Sequence, residues 1–288
     1  MKNKKNTSPV LRIPTWIRFG VWFSQQLSTS LATRVALYLF FRPQRFKRPF
    51  REQEMHEHAL KTNCYIPKID KEIQVFRLAG KGPKVLLLHG WSGRGTQLFA
   101  FAIELKKSNF EIITFDMPAH GQSVGNKTNI VELVACIKEI HVKYGPFTHA
   151  IAHSMGSMAL LRALRDGIPM KSVAIIGSGD KIRNVFYRFS EQLQFSDKVT
   201  ERMIQIVEKK FGMNLESYSS SMSLKHLELP LLIVHDKDDK ETPFAYSKDL
   251  HKIANNSELL LSSGLGHHRI LRDSKTVQRI VQFINQHP

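Results

Sequence analysis

The distribution of apolar and polar positions along the chain predicts an α/β fold. From residue 84 onward, short β-branched or leucine-rich runs alternate with segments of helical periodicity, which indicates a mostly parallel sheet covered by helices on both faces. The segment 71–78 alternates and predicts an antiparallel strand pair leading into this sheet. Ligands bind outside the carboxyl ends of strands in such sheets, so we expect functional residues to follow them. The predicted strands are 84–88, 111–115, 148–153, 172–176, 230–235 and 257–261.

One segment interrupts this alternation and defines the predicted domains. Residues 181–225 have the pattern of polar amphipathic helices, with no strand between 172–176 and 230–235, so we interpret them as a small inserted helical cap. The length of the chain, 288 residues, allows one large core. The sequence therefore predicts a basic amphipathic helical arm at 1–55, a core at 56–180 and 226–288, and a cap at 181–225.

The positive charge of the chain is concentrated in its first 51 residues. They hold 11 of the 42 Lys and Arg and none of the 25 acidic residues, so only +6 of the net charge of +17 lies elsewhere. Such a segment is a candidate for contact with an anionic membrane or with nucleic acid. We favour the membrane because aromatic residues alternate with aliphatic ones in an apolar stripe, and no recognised nucleic-acid module is present.

This apolar stripe has helical spacing and predicts an interfacial helix flanked by basic residues that would meet anionic headgroups. The alternative is that the helix packs on the catalytic body or covers its pocket. If the helix contacts a membrane, we expect residues 1–51 to be dispensable for the chemistry itself, whereas under the packing alternative a chain that lacks them would aggregate. The stripe consists of Ile13, Trp16, Ile17, Phe23, Leu27, Leu31 and Val35, and the basic residues are Arg12, Arg18, Arg34, Arg42, Arg45, Lys47 and Arg48.

Targeting features and cysteine usage predict a cytoplasmic location. The longest apolar run, 35–41, is far shorter than the roughly 18 to 20 residues of a membrane-spanning helix. The basic start is similar to that of a signal peptide, but Arg12 and Arg18 break the following apolar residues and no cleavage site of small residues occurs. Cys64 and Cys136 are too few for a disulfide framework. We expect a cytoplasmic protein with peripheral contact at the inner membrane face.

A serine follows the predicted strand 148–153 at a position suited to a catalytic nucleophile. The segment A-H-S-M-G-S precedes a helical run, so the chain must turn sharply at Ser154. The small residues Ala152 and Gly156 would let this strained turn approach the neighbouring strand and helix. The alternative role for Ser154 is to cap the following helix, a common function of serine.

The segment H-G-W-S-G directly follows strand 84–88 and predicts part of an oxyanion hole. A tetrahedral intermediate needs two backbone N–H donors, one from the residue after the nucleophile and one from a loop after an earlier strand. Met155 supplies the first donor, and Trp91 is our choice for the second. We expect His89 and Gly90 to shape the turn and to perform no chemistry.

The segment G-L-G-H-H-R-I-L follows the last predicted strand and contains the candidate general base. Imidazole suits this role because its pKa of about 6.5 lies near neutrality. We favour His267 over His268 because His267 directly follows a glycine, while His268 would point elsewhere on the new helix. A purely structural pair of histidines is the alternative.

Three aspartates in H-D-K-D-D-K-E-T-P compete for the role of the acid that orients the base. We choose Asp239, because a position in the loop between strand and helix lets a carboxylate reach the far nitrogen of the imidazole. Asp236 and Asp238 are interpreted as solvated or capping residues. Their proximity to His235 also permits a metal site, but no H-E-x-x-H-like spacing occurs, so we predict neither a metal nor a cofactor.

Together these motifs resemble those of the α/β-hydrolase superfamily over about residues 75–288. The resemblance rests on five ordered segments, L-L-L-H-G-W-S-G, F-D-M-P-A-H-G-Q-S, A-H-S-M-G-S, H-D-K-D-D-K-E-T-P and G-L-G-H-H-R-I-L. It implies the α/β-hydrolase fold. The order Ser154, Asp239, His267 is the chain order of the triad in that family, which supports all three assignments together.

The chain also departs from the family pattern. Ala152 replaces the first glycine of G-x-S-x-G, and Ala119 replaces a glycine of the family's D-x-P-G-H-G-x-S turn. The resemblance implies structural roles for Asp116 and His120 in that turn. A serine at position 154 separates the chain from haloalkane dehalogenases and epoxide hydrolases, which have an aspartate there. It favours carboxylesterase, lipase-like or thioesterase chemistry.

We therefore expect a serine hydrolase of the EC 3.1 class that cleaves a carboxylic ester or related acyl bond of a small molecule through an acyl-enzyme. Acyl transfer or thioester hydrolysis would use the same triad. A catalytically silent binding protein is the alternative from another class, since such folds host many functions. The presence of serine, histidine, acid and both loop motifs argues against that alternative.

Overall fold

The computed structural model describes residues 14–288, and within them it contains one sheet of eight strands. The strands are β1 (Leu60–Ile66), β2 (Lys71–Leu78), β3 (Lys84–Leu88), β4 (Glu111–Phe115), β5 (His149–His153), β6 (Ser172–Ile176), β7 (Leu231–Asp236) and β8 (Ser257–Ser262). Their order across the sheet is β1-β2-β4-β3-β5-β6-β7-β8. β2 is antiparallel to both β1 and β4, and the pairs from β4 to β8 are parallel.

This architecture confirms the predicted α/β fold with its mostly parallel sheet. Strands β2, β3, β4 and β6 have the predicted bounds, whereas β5 and β8 differ by one residue at one end and β7 is shifted by one residue at both ends. β1 was not identified in the sequence because most of its side chains are exposed or partly exposed, so it lacks the regular apolar alternation of a half-buried strand. The central strands β4, β5 and β6 are buried along their whole length, which accounts for their continuous apolar runs.

Helices cover the sheet and also form a separate group. They are α1 (Thr15–Leu27), α2 (Thr29–Phe40), α3 (Gln53–His58), α4 (Phe99–Lys107), α5 (Ile130–Tyr144), α6 (Met155–Arg165), α7 (Ile182–Leu193), α8 (Asp197–Phe211), α9 (Ser220–Leu224), α10 (Ala245–Ile253), α11 (Gly266–Arg269) and α12 (Ser274–Asn285). α12 illustrates the pattern, since Val277, Ile280, Val281 and Ile284 recur at helical spacing and are buried in the core. No helix within residues 14–288 has the length and apolar character needed to cross a bilayer.

The described residues form two compact units. The sheet unit comprises residues 41–182 and 215–288, and the helical unit comprises 14–40 and 183–214. The helical unit contains α1, α2, α8 and nearly all of α7. The boundaries between the two units follow residues 40, 182 and 214. The domain boundaries predicted from the sequence follow residues 55, 180 and 225.

Within the helical unit, the N-terminal helices pack against helices of the predicted cap. α2 contacts both α1 and α8. The side chain of Gln25 on α1 donates to the carbonyl of Gln194 at 3.0 Å and accepts from the N–H of Ser196 at 2.9 Å, which joins α1 to the connection between α7 and α8. One face of the predicted arm is therefore occupied by protein.

Residues 41–52 belong to the sheet unit, and several of their basic side chains bond to other residues of that unit. The Arg42 guanidinium donates to the carbonyl of Asn126 at 3.2 Å. The Arg45 guanidinium is held by three backbone carbonyls, those of Ala119, Ser123 and Gly125, at 3.0, 2.6 and 2.9 Å. Both side chains thus anchor this segment on loops of the sheet unit, an arrangement that does not favour their predicted contact with lipid headgroups.

A buried ion pair strengthens the same attachment. Glu52 is almost completely buried and lies 3.1 Å from the guanidinium of Arg94, while it accepts a hydrogen bond from the Thr96 hydroxyl at 2.8 Å. Arg48, another predicted headgroup contact, donates to the same hydroxyl at 3.3 Å. Residues 41–52 thus contact the loop after β3 through Arg48 and Glu52.

Candidate active site

Ser154 occupies a strained turn between β5 and α6. Its backbone has φ of 53° and ψ of −122°, a region that non-glycine residues rarely adopt. The Ser154 N–H donates to the carbonyl of Ile176 at the end of β6, at 2.9 Å. Ser154 is partly exposed, whereas the preceding His153 is buried. The turn thus presents the serine at the carboxyl edge of the sheet, where the sequence placed it.

Small residues on both sides of Ser154 permit this turn. Ala152 is fully buried and is paired with both Leu88 of β3 and Ile175 of β6. At Gly156, a Cβ atom would lie 2.5 Å from the carbonyl oxygen of His89, a distance that no side chain tolerates. The close approach of the two backbones is the physical reason for the small residues that the sequence shows here.

His267 and Asp239 form a short hydrogen bond at the same edge of the sheet. His267 lies in α11, and its Nδ1 is 2.6 Å from the Oδ2 of Asp239 in the loop after β7. Both side chains are nearly buried, with exposed fractions of 5% and 2%. Because Nδ1 faces the carboxylate, Nε2 of His267 is the nitrogen left for proton exchange.

The surroundings of Asp239 keep its carboxylate charged. Burial alone would raise its pKa, but hydrogen bonds from His235 and His267 and from the backbone N–H of Thr242 lower it well below the usual range. Oδ1 accepts from the N–H groups of Glu241 and Thr242, both at 2.8 Å. The carboxylate can therefore hold the imidazole in one orientation and stabilise its protonated form.

Two contacts bring His267 close to the serine turn. The ring of His267 lies against Gly177, the residue after Ile176, since a Cβ there would be 3.2 Å from Nδ1 and Cε1. The buried His153 donates from Nε2 to the carbonyl of His267 at 3.1 Å, and the two ring centroids are 4.5 Å apart. No hydrogen bond joins Ser154 Oγ to His267 among residues 14–288, and in unliganded enzymes such bonds often tighten only when substrate binds.

The loop after β3 packs directly on the serine turn. A Cβ at Gly90 would be 2.9 Å from the Cβ of Ser154, so the two backbones are in contact. The N–H groups of Trp91 and Met155 donate to no acceptor within the described residues. This packing brings the loop that contains Trp91 beside Met155 at the start of α6, the arrangement that two donors of an oxyanion hole need.

Two buried histidines hold the loop that contains Trp91. His89 accepts from the N–H of Met117 at 3.0 Å and donates from Nδ1 to the carbonyl of Gly90 at 2.7 Å. His120 accepts from the N–H of Ser92, also at 3.0 Å. Burial lowers the pKa of His120 to about 4 and that of His89 well below its ordinary value, so both rings are neutral and can accept. The structural roles predicted for both residues are confirmed.

Asp236 and Asp238 hold the loop that precedes His267. Asp238 is exposed, as predicted, whereas the prediction that Asp236 is solvated is wrong because its side chain is buried. Asp236 is buried and accepts from the N–H groups of Leu265 and Gly266 at 3.1 and 2.9 Å. Asp238 accepts from the N–H of Gly264 at 2.7 Å. The sequence contained a signal for this role, because Asp236 stands at the end of β7 and the end of β8 lies beside it.

His268, the competing candidate base, points to a different partner. Its Nε2 donates to Glu241 at 2.9 Å, and while burial would lower the pKa of His268, this carboxylate raises it above the ordinary value. The other oxygen of Glu241 lies 4.0 Å from Nε2 of His267. The sequence did not single out Glu241, although it follows Asp239 by two residues on the same loop.

His235 supports Asp239 and does not form the metal site considered from the sequence. Its Nδ1 accepts from the hydroxyl of Ser247 at 2.6 Å, and its Nε2 donates to the carbonyl of Thr242 at 2.9 Å while lying 3.2 Å from Asp239. Both ring nitrogens are thus engaged by protein groups. Among residues 14–288 no group of three or more His, Cys, Asp or Glu has a metal-binding arrangement.

A sequence profile of the α/β-hydrolase fold family matches residues 83–251, more than half of the chain. The chain belongs to this family. Lysophosphatidylserine lipase ABHD12 of Rattus norvegicus is 24% identical over 199 residues, which cover 62% of this chain and 46% of the relative. The chain thus matches less than half of that protein's length.

Solved structures share the fold at low sequence identity. The esterase Pf2001 of Pyrococcus furiosus superposes with a TM-score of 0.65 at 17% identity, covering 85% of this chain and 98% of the esterase. A bacterial membrane phospholipase A superposes with a TM-score of 0.64 at 12% identity, covering 95% of this chain and 99% of that protein. Structural neighbours of this fold therefore include esterases and lipases.

The contact between Gly156 and His89 generates a stability prediction. We expect Gly156→Ala to lower the free energy of unfolding by about 1–3 kcal/mol, because the added methyl group must push the loop after β3 away from the serine turn. Urea unfolding measures the difference. Gly20→Ala is the matched control, since a Cβ at Gly20 meets no atom within 4 Å. Equal stability of the Gly156 variant and the native chain would contradict the tight packing of this turn.

Proposed function

We propose that this chain is a serine hydrolase that cleaves a carboxylic ester or a related acyl bond. Ser154 is the nucleophile, His267 the general base and Asp239 the acid that orients it. The observation that carries this proposal is the 2.6 Å hydrogen bond from His267 Nδ1 to Asp239, formed beside the strained turn at Ser154. A serine that only capped α6 would not need such a turn, and its side chain makes no capping hydrogen bond.

The first half of the reaction forms an acyl-enzyme. Ser154 Oγ attacks the acyl carbon while its proton passes to Nε2 of His267, and the carbonyl oxygen becomes an oxyanion. The N–H groups of Trp91 and Met155 then donate to this oxyanion. The intermediate collapses when the bond to the alcohol breaks, and the departing alcohol oxygen takes the proton from His267.

The second half releases the acid and regenerates the serine. A water molecule attacks the acyl carbon and gives its proton to Nε2 of His267. The new tetrahedral intermediate expels Ser154 Oγ, which recovers the proton. Asp239 remains charged throughout and stabilises the imidazolium that forms in each half, as the lowered pKa of its carboxyl group allows.

An ester substrate is supported by the relatives as well as by the geometry. The proteins similar to this chain include a lysophosphatidylserine lipase, an esterase and a phospholipase. Thioester hydrolysis would use the same residues with a thiol as the leaving group of the first half-reaction. Transfer of the acyl group would replace water by another acceptor in the second half-reaction. A silent binding protein would have no need for a buried histidine hydrogen-bonded to the charged carboxylate of Asp239.

We further propose a cytoplasmic location. Cys64 and Cys136 are both buried and both unpaired. Burial raises the pKa of both thiols, so these cysteines are inert packing residues and not nucleophiles. Free buried thiols suit a reducing compartment.

The role of Ser154 predicts a large loss of activity in its alanine variant. We expect Ser154→Ala to lower kcat/KM for a soluble p-nitrophenyl ester by roughly a thousandfold or more, since the variant lacks the hydroxyl that forms the acyl-enzyme. Ser108→Ala, at an exposed serine after α4, is the control and should retain full activity. Hydrolysis by the Ser154 variant at the native rate would overturn the proposal.

The different partners of the two histidines predict different effects of their removal. We expect His267→Ala to reduce kcat/KM about as much as Ser154→Ala, because serine and base act as one unit. His268→Ala should retain most activity, because its ring is bonded to Glu241. Both variants are assayed with the same ester after thermal unfolding shows that they fold. The opposite order of effects would assign the base to His268.

A further inference from the structure

The N-terminal helices bury their small residues and expose their large apolar ones. In α1 the buried residues are Val21 and Ser24, and in α2 they are Ala32, Thr33 and Ala36. The exposed side chains of α1 are Trp16, Phe19, Trp22, Phe23 and Leu27, with exposed fractions of 73, 64, 55, 50 and 59%. A surface helix of a globular protein normally shows the opposite distribution.

These five residues form one continuous surface, which we call the aromatic face. Their spacing at about 100° per residue places them on one side of α1, away from Val21 and Ser24. Phe19 is in ring contact with Trp22 and Phe23, with centroids 5.9 and 6.3 Å apart. A cluster of exposed aromatic side chains of this kind marks an interaction surface.

The charge around the aromatic face selects among possible partners. Residues 1–40 contain six Lys and Arg and no Asp or Glu. Arg18 and Arg34 belong to this set and are exposed in the structure. A second copy of the chain would bring like charges together, whereas an anionic lipid surface attracts them. Tryptophan beside basic residues is typical of side chains at a membrane interface.

We propose that the aromatic face of α1 docks on an anionic phospholipid surface. α1 lies in the plane of that surface, with the aromatic rings at the boundary between headgroups and acyl chains and the basic residues at the headgroups. This refines the hypothesis drawn from the sequence. Phe19 and Trp22 are added to the apolar stripe, and Arg42, Arg45 and Arg48 are removed from the basic residues expected at the headgroups. Ile13 and Arg12 lie outside the described residues. The docking does not depend on the proposed hydrolysis.

Vesicle binding of the full chain tests this docking. We expect sedimentation with vesicles of phosphatidylglycerol and phosphatidylcholine at low salt, and at least tenfold weaker binding to phosphatidylcholine alone or at about 0.5 M salt. Trp16 and Trp22 are two of the three tryptophans, so brominated lipid should quench the intrinsic fluorescence of the bound protein.

Matched variants separate the two components of the surface. Phe19→Ser with Trp22→Ser, and Arg18→Glu with Arg34→Glu, should each weaken vesicle binding at least tenfold. Phe50→Ser is the control for an exposed aromatic ring of the sheet unit, and Lys81→Glu with Lys225→Glu is the control for net charge. Both controls should bind within twofold of the native chain.

Three outcomes would overturn the proposal. The first is equal binding to anionic and neutral vesicles. The second is a loss of vesicle binding in the control variants that equals the loss in the aromatic and arginine variants. The third is no vesicle binding together with a dimer, detected by light scattering, that Phe19→Ser with Trp22→Ser dissociates, which would assign the aromatic face to a second copy. Circular dichroism establishes that each variant is folded, so these results stand whether or not the chain hydrolyses esters.

Discussion

The chain passes from β5 into α6 at Ser154 with no intervening loop, and the rest of the site depends on how that turn is held. A backbone in this region costs of order 1–3 kcal/mol, so neighbouring strands must stabilise it. The carbonyl of Ile176 accepts the Ser154 N–H, and the carbonyl of His89 occupies the space that a side chain at Gly156 would need. The ends of β3, β5 and β6 are thereby fixed together, which sets the loop of Trp91 beside the serine.

The polar groups around this turn divide into neutral and charged sets. Burial lowers the pKa of His89, His120 and His153, so their rings remain neutral and support loops through hydrogen bonds. Asp239 has a lowered pKa and remains charged. Negative charge is thus placed next to His267, while the histidines that shape the site add no competing positive charge.

The sequence predicted the residues whose roles follow from their position along the chain. Ser154, the loop of Asp239 and the loop of His267 each directly follow a predicted strand. Because the carboxyl ends of parallel strands meet at one edge of the sheet, their positions in the sequence were enough to predict that they lie close together. The sequence did not predict the hydrogen-bond partners that depend on which loops lie next to each other in the folded chain. Asp236 directly follows a predicted strand, but the sequence did not show that its carboxylate bonds the loop before His267. Arg45 resembled the other exposed bases of the arm, yet it is bonded to three carbonyls.

A crystal structure of the chain after reaction with a fluorophosphonate would test the account most directly, because the adduct mimics the tetrahedral intermediate. The account predicts a phosphorus atom bonded to Ser154 Oγ, with its oxygen about 2.7–3.1 Å from the N–H groups of both Trp91 and Met155. It also predicts that Nε2 of His267 faces the modified oxygen. Phosphorus on any other residue, or an oxygen beyond reach of both N–H groups, would contradict it.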